Sequence, residues 1–195
     1  MAGAGATISD NAIAGNGDGD GVWNDCEIHG GVVITGTTDS LLADNSILSN
    51  DGAGVTIYGG YGNSLRANSI SGNTTAGIVL EQGGNQDLPP PHITSVVQQT
   101  IGGSACPLCR VEIFTDTGDE GRHFAGATTA TADGSFRFDL DPAGLSDPNV
   151  TATHTDGSGN TSPFAPPARI LGENPPPPTP IPADLSSLYM PQILR

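Results

Sequence analysis

Two spacings of apolar positions run together through residues 31–80. Gly31, Val32 and Ile34 return as Gly54, Val55 and Ile57, and again as Gly77, Ile78 and Leu80, each time 23 residues later. The same step carries Leu42, Asn45, Ile47 and Asn50 onto Leu65, Asn68, Ile70 and Asn73. A period in the twenties marks a solenoid, whose units cannot bury an apolar face alone and must stack. Within each unit the apolar residues alternate, as Val55 and Ile57 or Ile78 and Leu80 do, so the units are strands. Helical spacing is absent, so helix-pair and leucine-rich repeats fit poorly. Asparagine recurs at the turns, where it tolerates left-handed backbone and can stack its amides into ladders. An earlier unit, Ile8, Asn11, Ile13 and Asn16, matches Leu42, Asn45, Ile47 and Asn50 at a shift of 34, so eleven extra residues lie between Asn16 and Gly31.

The pattern Leu-x-x-Asn-x-Ile-x-x-Asn followed by Gly-Val/Ile-x-Ile/Leu resembles the right-handed parallel β-helix repeat family of secreted bacterial proteins. That resemblance implies about 3–4 coils over residues 1–88. The repeat loses its apolar positions across 81–88, and Pro89, Pro90 and Pro91 then predict a stiff extended spacer at a domain boundary. Beyond it, alternating segments at 93–98, 110–115, 124–129, 135–140 and 150–155 are separated by turn signals at Asp133-Gly134, Asp141-Pro142 and Asp156-Gly157. This is the layout of a small antiparallel sandwich over 92–165. The stretches 131–138 (TADGSFRF) and 150–162 (VTATHTDGSGNTS) resemble bacterial immunoglobulin-like modules that follow repeats in secreted proteins. Such modules serve as spacers or adhesive units, which the resemblance implies here. The expected fold is therefore all-β, a right-handed parallel β-helix plus a small antiparallel β-sandwich.

Residues 166–184 read as a proline-rich linker and 185–195 as a short apolar tail ending in Arg195. The tail resembles those that follow Pro/Thr linkers in secreted bacterial proteins; a sorting or docking signal, a strand that pairs with a sheet edge, and a disordered terminus all fit it. Met1 leads directly through Ala-Gly-Ala-Gly into a repeat, with no visible export signal and no capping element before the first coil. The expectation is a C-terminal piece of a longer chain.

Six arginines, no lysine and 21 carboxylates give a formal charge of −15. Such a surface repels nucleic acid and anionic lipid, and either attracts cations or keeps an exported protein soluble. No apolar run reaches the ~18 residues of a membrane span. The expected location is extracellular or at the cell surface, with polysaccharide or cell-surface components as partners.

Insertions in solenoids form loops on one face, where binding sites tend to be built. Here Asn16, Asp18, Asp20, Gly21 and Glu27 fit a calcium-loop template, with Asn in place of Asp at its first position. Oxygens at positions one, three, five and twelve can wrap a hard cation. Over these twelve residues the insertion resembles the loop of EF-hand, dockerin and related calcium modules, and Asn16, Asp18, Asp20 and Glu27 form a candidate Ca2+ set. A plain solvated turn is the competing reading. Trp23, the only tryptophan, either packs the insertion on the solenoid or offers a platform to a sugar ring.

Cys106 and Cys109 precede a strand rather than a helix, so their spacing predicts a local disulfide and not a thioredoxin-like site. A zinc set of these two with Cys26 and His29 is the alternative. Cys26 is otherwise an odd thiol. His92, His123 and His154 are expected at surface or edge positions, and Arg66 in solvent. Many parallel β-helix proteins are polysaccharide lyases or hydrolases, and His29-Gly30 resembles a fragment of the polygalacturonase pattern. The paired aspartates and the Arg-x-Lys of that pattern are missing, and no triad or cofactor fingerprint occurs. The sequence thus predicts a structural or adhesive chain that presents a face to glycan. The alternative is the non-catalytic end of a polysaccharide lyase or glycoside hydrolase whose active coils lie upstream.

Overall fold

A computed structural model of the chain describes residues 5–17, 30–141 and 147–170. The 23-residue step appears directly as strand register. Strands β1 (Thr7–Ser9), β4 (Leu41–Ala43) and β7 (Ser64–Arg66) form one parallel sheet. A second contains β2 (Ala12–Ala14), β5 (Ser46–Leu48) and β8 (Ser69–Ser71), and a third β3 (Gly30–Thr35), β6 (Ala53–Tyr58) and β9 (Ile78–Glu81). Val32 lies beside Val55 and Val55 beside Ile78, while Leu42 pairs with Leu65 and Ile47 with Ile70. Across the insertion Ile8 meets Leu42 and Ile13 meets Ile47, so the extra residues leave the stacking intact. The inward positions of the three sheets make one core, with Ile47, Val55 and Ile57 fully buried.

The turns use asparagine differently from the expectation above. The residue before each ladder asparagine takes the left-handed conformation: Asp10, Asp44 and Ala67 in one row, Gly15, Ser49 and Gly72 in the other. The asparagines that follow keep negative φ and spend their side chains on stacking. Asn45 shows the scheme. Its backbone N–H and Nδ2 both donate to Oδ1 of Asn68 one coil on, at 3.0 and 2.9 Å, and Nδ2 also donates to the Ile8 carbonyl one coil back. Asn11 donates to Asn45 Oδ1 in the same manner. A second ladder runs Asn16, Asn50, Asn73. A third, Ser40, Asn63, Asn85, is less visible in the sequence because its first rung is serine. Asn85 carries this ladder into the 81–88 segment, where the apolar repeat has already ended, and it alone of the ladder asparagines takes a positive φ, of 46°.

The sandwich starts at β10 (His92–Val97) and continues through β11 (Thr100–Ser104), β12 (Arg110–Asp116), β13 (His123–Thr129), β14 (Ser135–Asp139), β15 (Asn149–Thr155) and β16 (Ala168–Arg169). Its two antiparallel sheets have the orders β10-β11-β14 and β13-β12-β15-β16. Between them lies a second core that includes Ile101, Val111, Ile113 and Val150. The spacing of alternating segments missed β11 and β16. In β11 a single apolar residue is followed by Gly102 and Gly103, and β16 is only two residues long, so neither shows alternation.

The proline spacer does not hold the modules apart. β12 and β15 are buried on both faces, because one face closes the sandwich and the other lies on the last coil of the solenoid. That contact is the largest departure from the sequence reading.

Candidate functional site

A solenoid coil with nothing stacked on it presents unpaired strand edges and a bare apolar interior. In this chain the sandwich supplies what the next coil would have. Ile70 and Gly121 exchange both backbone hydrogen bonds at 3.0 Å, forming a short antiparallel bridge from β8 to the β12–β13 loop. Thr161 Oγ1 accepts the Leu65 N–H at 2.9 Å, and the Thr161 carbonyl accepts Nδ2 of Asn85 at 2.9 Å. Asn160 Oδ1 accepts the Gly62 N–H, and Ser64 Oγ donates to the Gly159 carbonyl. Residues 156–161, which the sequence suggests only as a turn, are therefore a docking loop. Asp156 shapes it by accepting from Ser158 N, Asn160 N and Asn160 Nδ2.

Two carboxylates finish the joint. Glu112 is 2% exposed; one oxygen accepts the Ala67 N–H at 2.9 Å and the other pairs with Arg110 at 3.0 Å. Glu120 ends the second ladder, since its Oε2 accepts both N–H and Nδ2 of Asn73, at 3.3 and 3.2 Å. Burial pushes the Glu120 carboxyl above its ordinary 4.5, against the pull of the Asn73 hydrogen bonds, and Asp116 and Asp119 add to the rise. Apolar contact completes the seal. Phe164 packs against the solenoid core and meets Phe114 edge-on at 5.4 Å between ring centroids. Gly77 and Gly121 make room for it, because a Cβ on either would stand about 2.5 Å from the ring. The void left among Leu65, Ile70, Ile78, Phe114 and Phe164 is only about 10 Å3. Beside the seal a cleft of about 520 Å3 opens, with Ser49, Ser69 and Ser71 on the solenoid side and Asp116, Asp119 and Arg122 on the sandwich side.

The residues singled out in the sequence fall elsewhere. Asn16 is described and belongs to the ladder, with N and Nδ2 both 3.0 Å from Asn50 Oδ1. Asp18, Asp20, Trp23, Cys26, Glu27 and His29 lie outside the described residues. Cys106 and Cys109 are bonded to each other as a disulfide with Cα atoms 5.4 Å apart, on the turn that carries the chain from one sheet to the other. His92 is exposed, and His123 is about half exposed with Nε2 3.3 Å from the Asp147 carboxylate. His154 departs from the expected surface position. It is 3% exposed, with Nδ1 accepting the Cys106 N–H, because β15 is covered on both faces. Burial lowers its pKa below the ordinary 6.5, opposed by the Pro89 backbone and Asp156. Stability therefore falls as pH drops below 6.5, where the unfolded chain takes up a proton that buried His154 resists. Arg66 is half-buried rather than free in solvent. Sequence reasoning did not find Glu112, Glu120, Thr161 or Phe164. No spacing marks them, since each acts on a partner at least 45 positions away.

A stacked solenoid closed at one end by a docked sandwich defines an end-capped β-solenoid. Residues 1–95 match the family model of the right-handed beta helix region, and residues 90–168 match that of the bacterial Ig domain. The chain is thus a right-handed β-helix followed by a bacterial immunoglobulin-like domain, a pairing that suggests a surface or structural protein. No curated protein matches it. Among the described residues no helix is long and apolar enough to cross a membrane.

Proposed function

We propose that this chain is a structural and adhesive segment of an extracellular or cell-surface protein, in which the immunoglobulin-like module caps the β-helix and stiffens it for contact with glycan. The observation that carries this reading is the joint. Backbone bridge, ladder ends and aromatic seal all replace contacts of a further coil, which turns two modules into one load-bearing unit. The cap also covers strand edges that would otherwise template association with other chains.

The surface offered to glycan is the outer row of the β3-β6-β9 sheet, where Thr35, Tyr58 and Glu81 stack in register near Tyr61, which is 53% exposed. A tyrosine ring with a free face suits a sugar ring, and the net charge of −15 favours neutral over acidic polysaccharide. Sedimentation with insoluble neutral polysaccharides should retain the chain, and Tyr61→Ala should release it. Equal retention of the variant would remove this face from the account, and no retention on neutral or acidic glycans would leave a purely structural role.

The insertion is proposed to hold a calcium ion through Asn16, Asp18, Asp20 and Glu27. Titrating calcium while following Trp23 fluorescence and the melting temperature should give a saturable change with raised stability, both lost in Asp20→Ala. A flat response in both signals would eliminate the site.

A further inference from the structure

At every interior rung of the second ladder, the acceptor that faces an asparagine is a neutral carboxamide oxygen one coil on. At the joint that acceptor belongs to an acid. Glu120 Oε2 takes the two hydrogens of Asn73 as Asn50 Oδ1 takes those of Asn16. Glu120 is 5% exposed, and its other oxygen, Oε1, is buried with no hydrogen-bond partner. An ionised carboxyl spreads its charge over both oxygens, so part of that charge rests on a buried atom that no described protein group stabilises. A carboxyl carrying its proton on Oε1 still accepts at Oε2 and is then the neutral equivalent of the amide it replaces.

The surroundings do not offset the charge. Asp116, at the end of β12, and Asp119, in the same loop, both raise the Glu120 carboxyl further. Arg122 and His123 line the adjoining cleft, where His123 faces Asp147, and among the described residues no cation pairs with Glu120. From the solenoid the cleft is lined by Ser49, Ser69, Ser71, Gly72 and Asn73 and by apolar Leu48, none of which ionises. Gly77 and Phe164 on the sealed side carry no charge either.

We propose that Glu120 is an acid-tightened latch: protonation of its carboxyl strengthens the grip of the sandwich on the β-helix, and ionisation towards neutral pH loosens it. The sign follows from linkage. Undocked, the carboxyl has the ordinary value of 4.5; docked, burial raises it. Between those values docking takes up a proton, so the grip weakens as pH rises through that window and is constant above it. His154 acts in the opposite sense, losing stability towards acid, so a bulk melting curve mixes the two.

The latch is therefore read at Glu120 itself, on the full chain. Carbon-13 NMR of the Glu120 carboxyl should titrate above 4.5, with the backbone and side-chain amide signals of Asn73 moving at the same midpoint. Protection of the Gly121 amide, corrected for intrinsic exchange, should fall about tenfold for each pH unit by which docking raises the carboxyl. In Glu120→Gln, where a neutral amide holds the rung permanently, the fall of that protection with rising pH should disappear, leaving only the opposite, acid-side loss that His154 causes. A wild-type midpoint at or below 4.5 overturns the proposal, even if the variant does not fold. So does an unchanged pH dependence of Gly121 protection in Glu120→Gln.

Discussion

Phe164→Ala is expected to uncouple the two modules, splitting one cooperative unfolding transition into two. Among the described residues, Phe164 is the large apolar side chain of the sandwich packed on the solenoid core, and it also meets Phe114 at an edge-on angle of 88°. Gly77 and Gly121 lie against its ring and have no side chains of their own to fill the space if the ring is removed. Truncating a fully packed phenylalanine costs about 3 kcal/mol; Phe164 is only half-buried, so about 2 kcal/mol is expected, and the edge-on pair adds about 1 kcal/mol. The hydrogen bonds of the joint are worth only about 1 kcal/mol each net of water. Loss of the seal would thus outweigh several of them, and water reaching Ile70–Gly121 would weaken those that remain. Denaturant unfolding followed separately by far-ultraviolet circular dichroism and by the Phe164-side amide signals would show the split. Coincident transitions at the wild-type midpoint would mean that the modules are joined by something other than this ring.

Asn45→Leu should cost about 3 kcal/mol, although leucine matches asparagine closely in size and is more apolar. Asn45 is 2% exposed and sits in the middle coil. Removing its amide strips the Ile8 carbonyl of the Nδ2 donor, Asn11 of its acceptor, and Asn68 Oδ1 of one of two donors. Each buried group left without a partner carries a desolvation cost of about 1–3 kcal/mol. The gain from an added apolar side chain is smaller, since the turn it occupies is lined by backbone. In a solenoid, stability is a sum of units and nearest-neighbour contacts, so a fault in the central coil affects the interfaces on both sides. A drop in the chemical denaturation midpoint at unchanged m-value is the expected signature. A variant as stable as wild type would show that the ladders follow from the stacking and do not support it.

The β-helix was legible because its information is local and repeated. A strand that recurs every 23 residues writes its register into the sequence, and Val32, Val55 and Ile78 line up in space as they do on paper. The asparagine ladders were legible as recurrence, although which residue bends the backbone was not. Asp44 and Asn45 are neighbours, and only the backbone shows that the first turns and the second stacks. The sandwich was legible where alternation was strong, as in β12 and β15, and missed where glycine interrupted it, as in β11.

The joint was decided by tertiary structure alone. The face of β12 and β15 that carries Glu112 and Thr153 is buried because a second module lies against it. Nothing within a few residues of Glu120 distinguishes it from Asp116 or Asp119, and its place as the last rung arises only when the β12–β13 loop meets Asn73. Sequence period sets contacts between equivalent positions in successive coils, because each repeats the same local pattern. A contact between two different architectures has no such repeat to announce it, and depends on shape, charge and burial that exist only once both have folded.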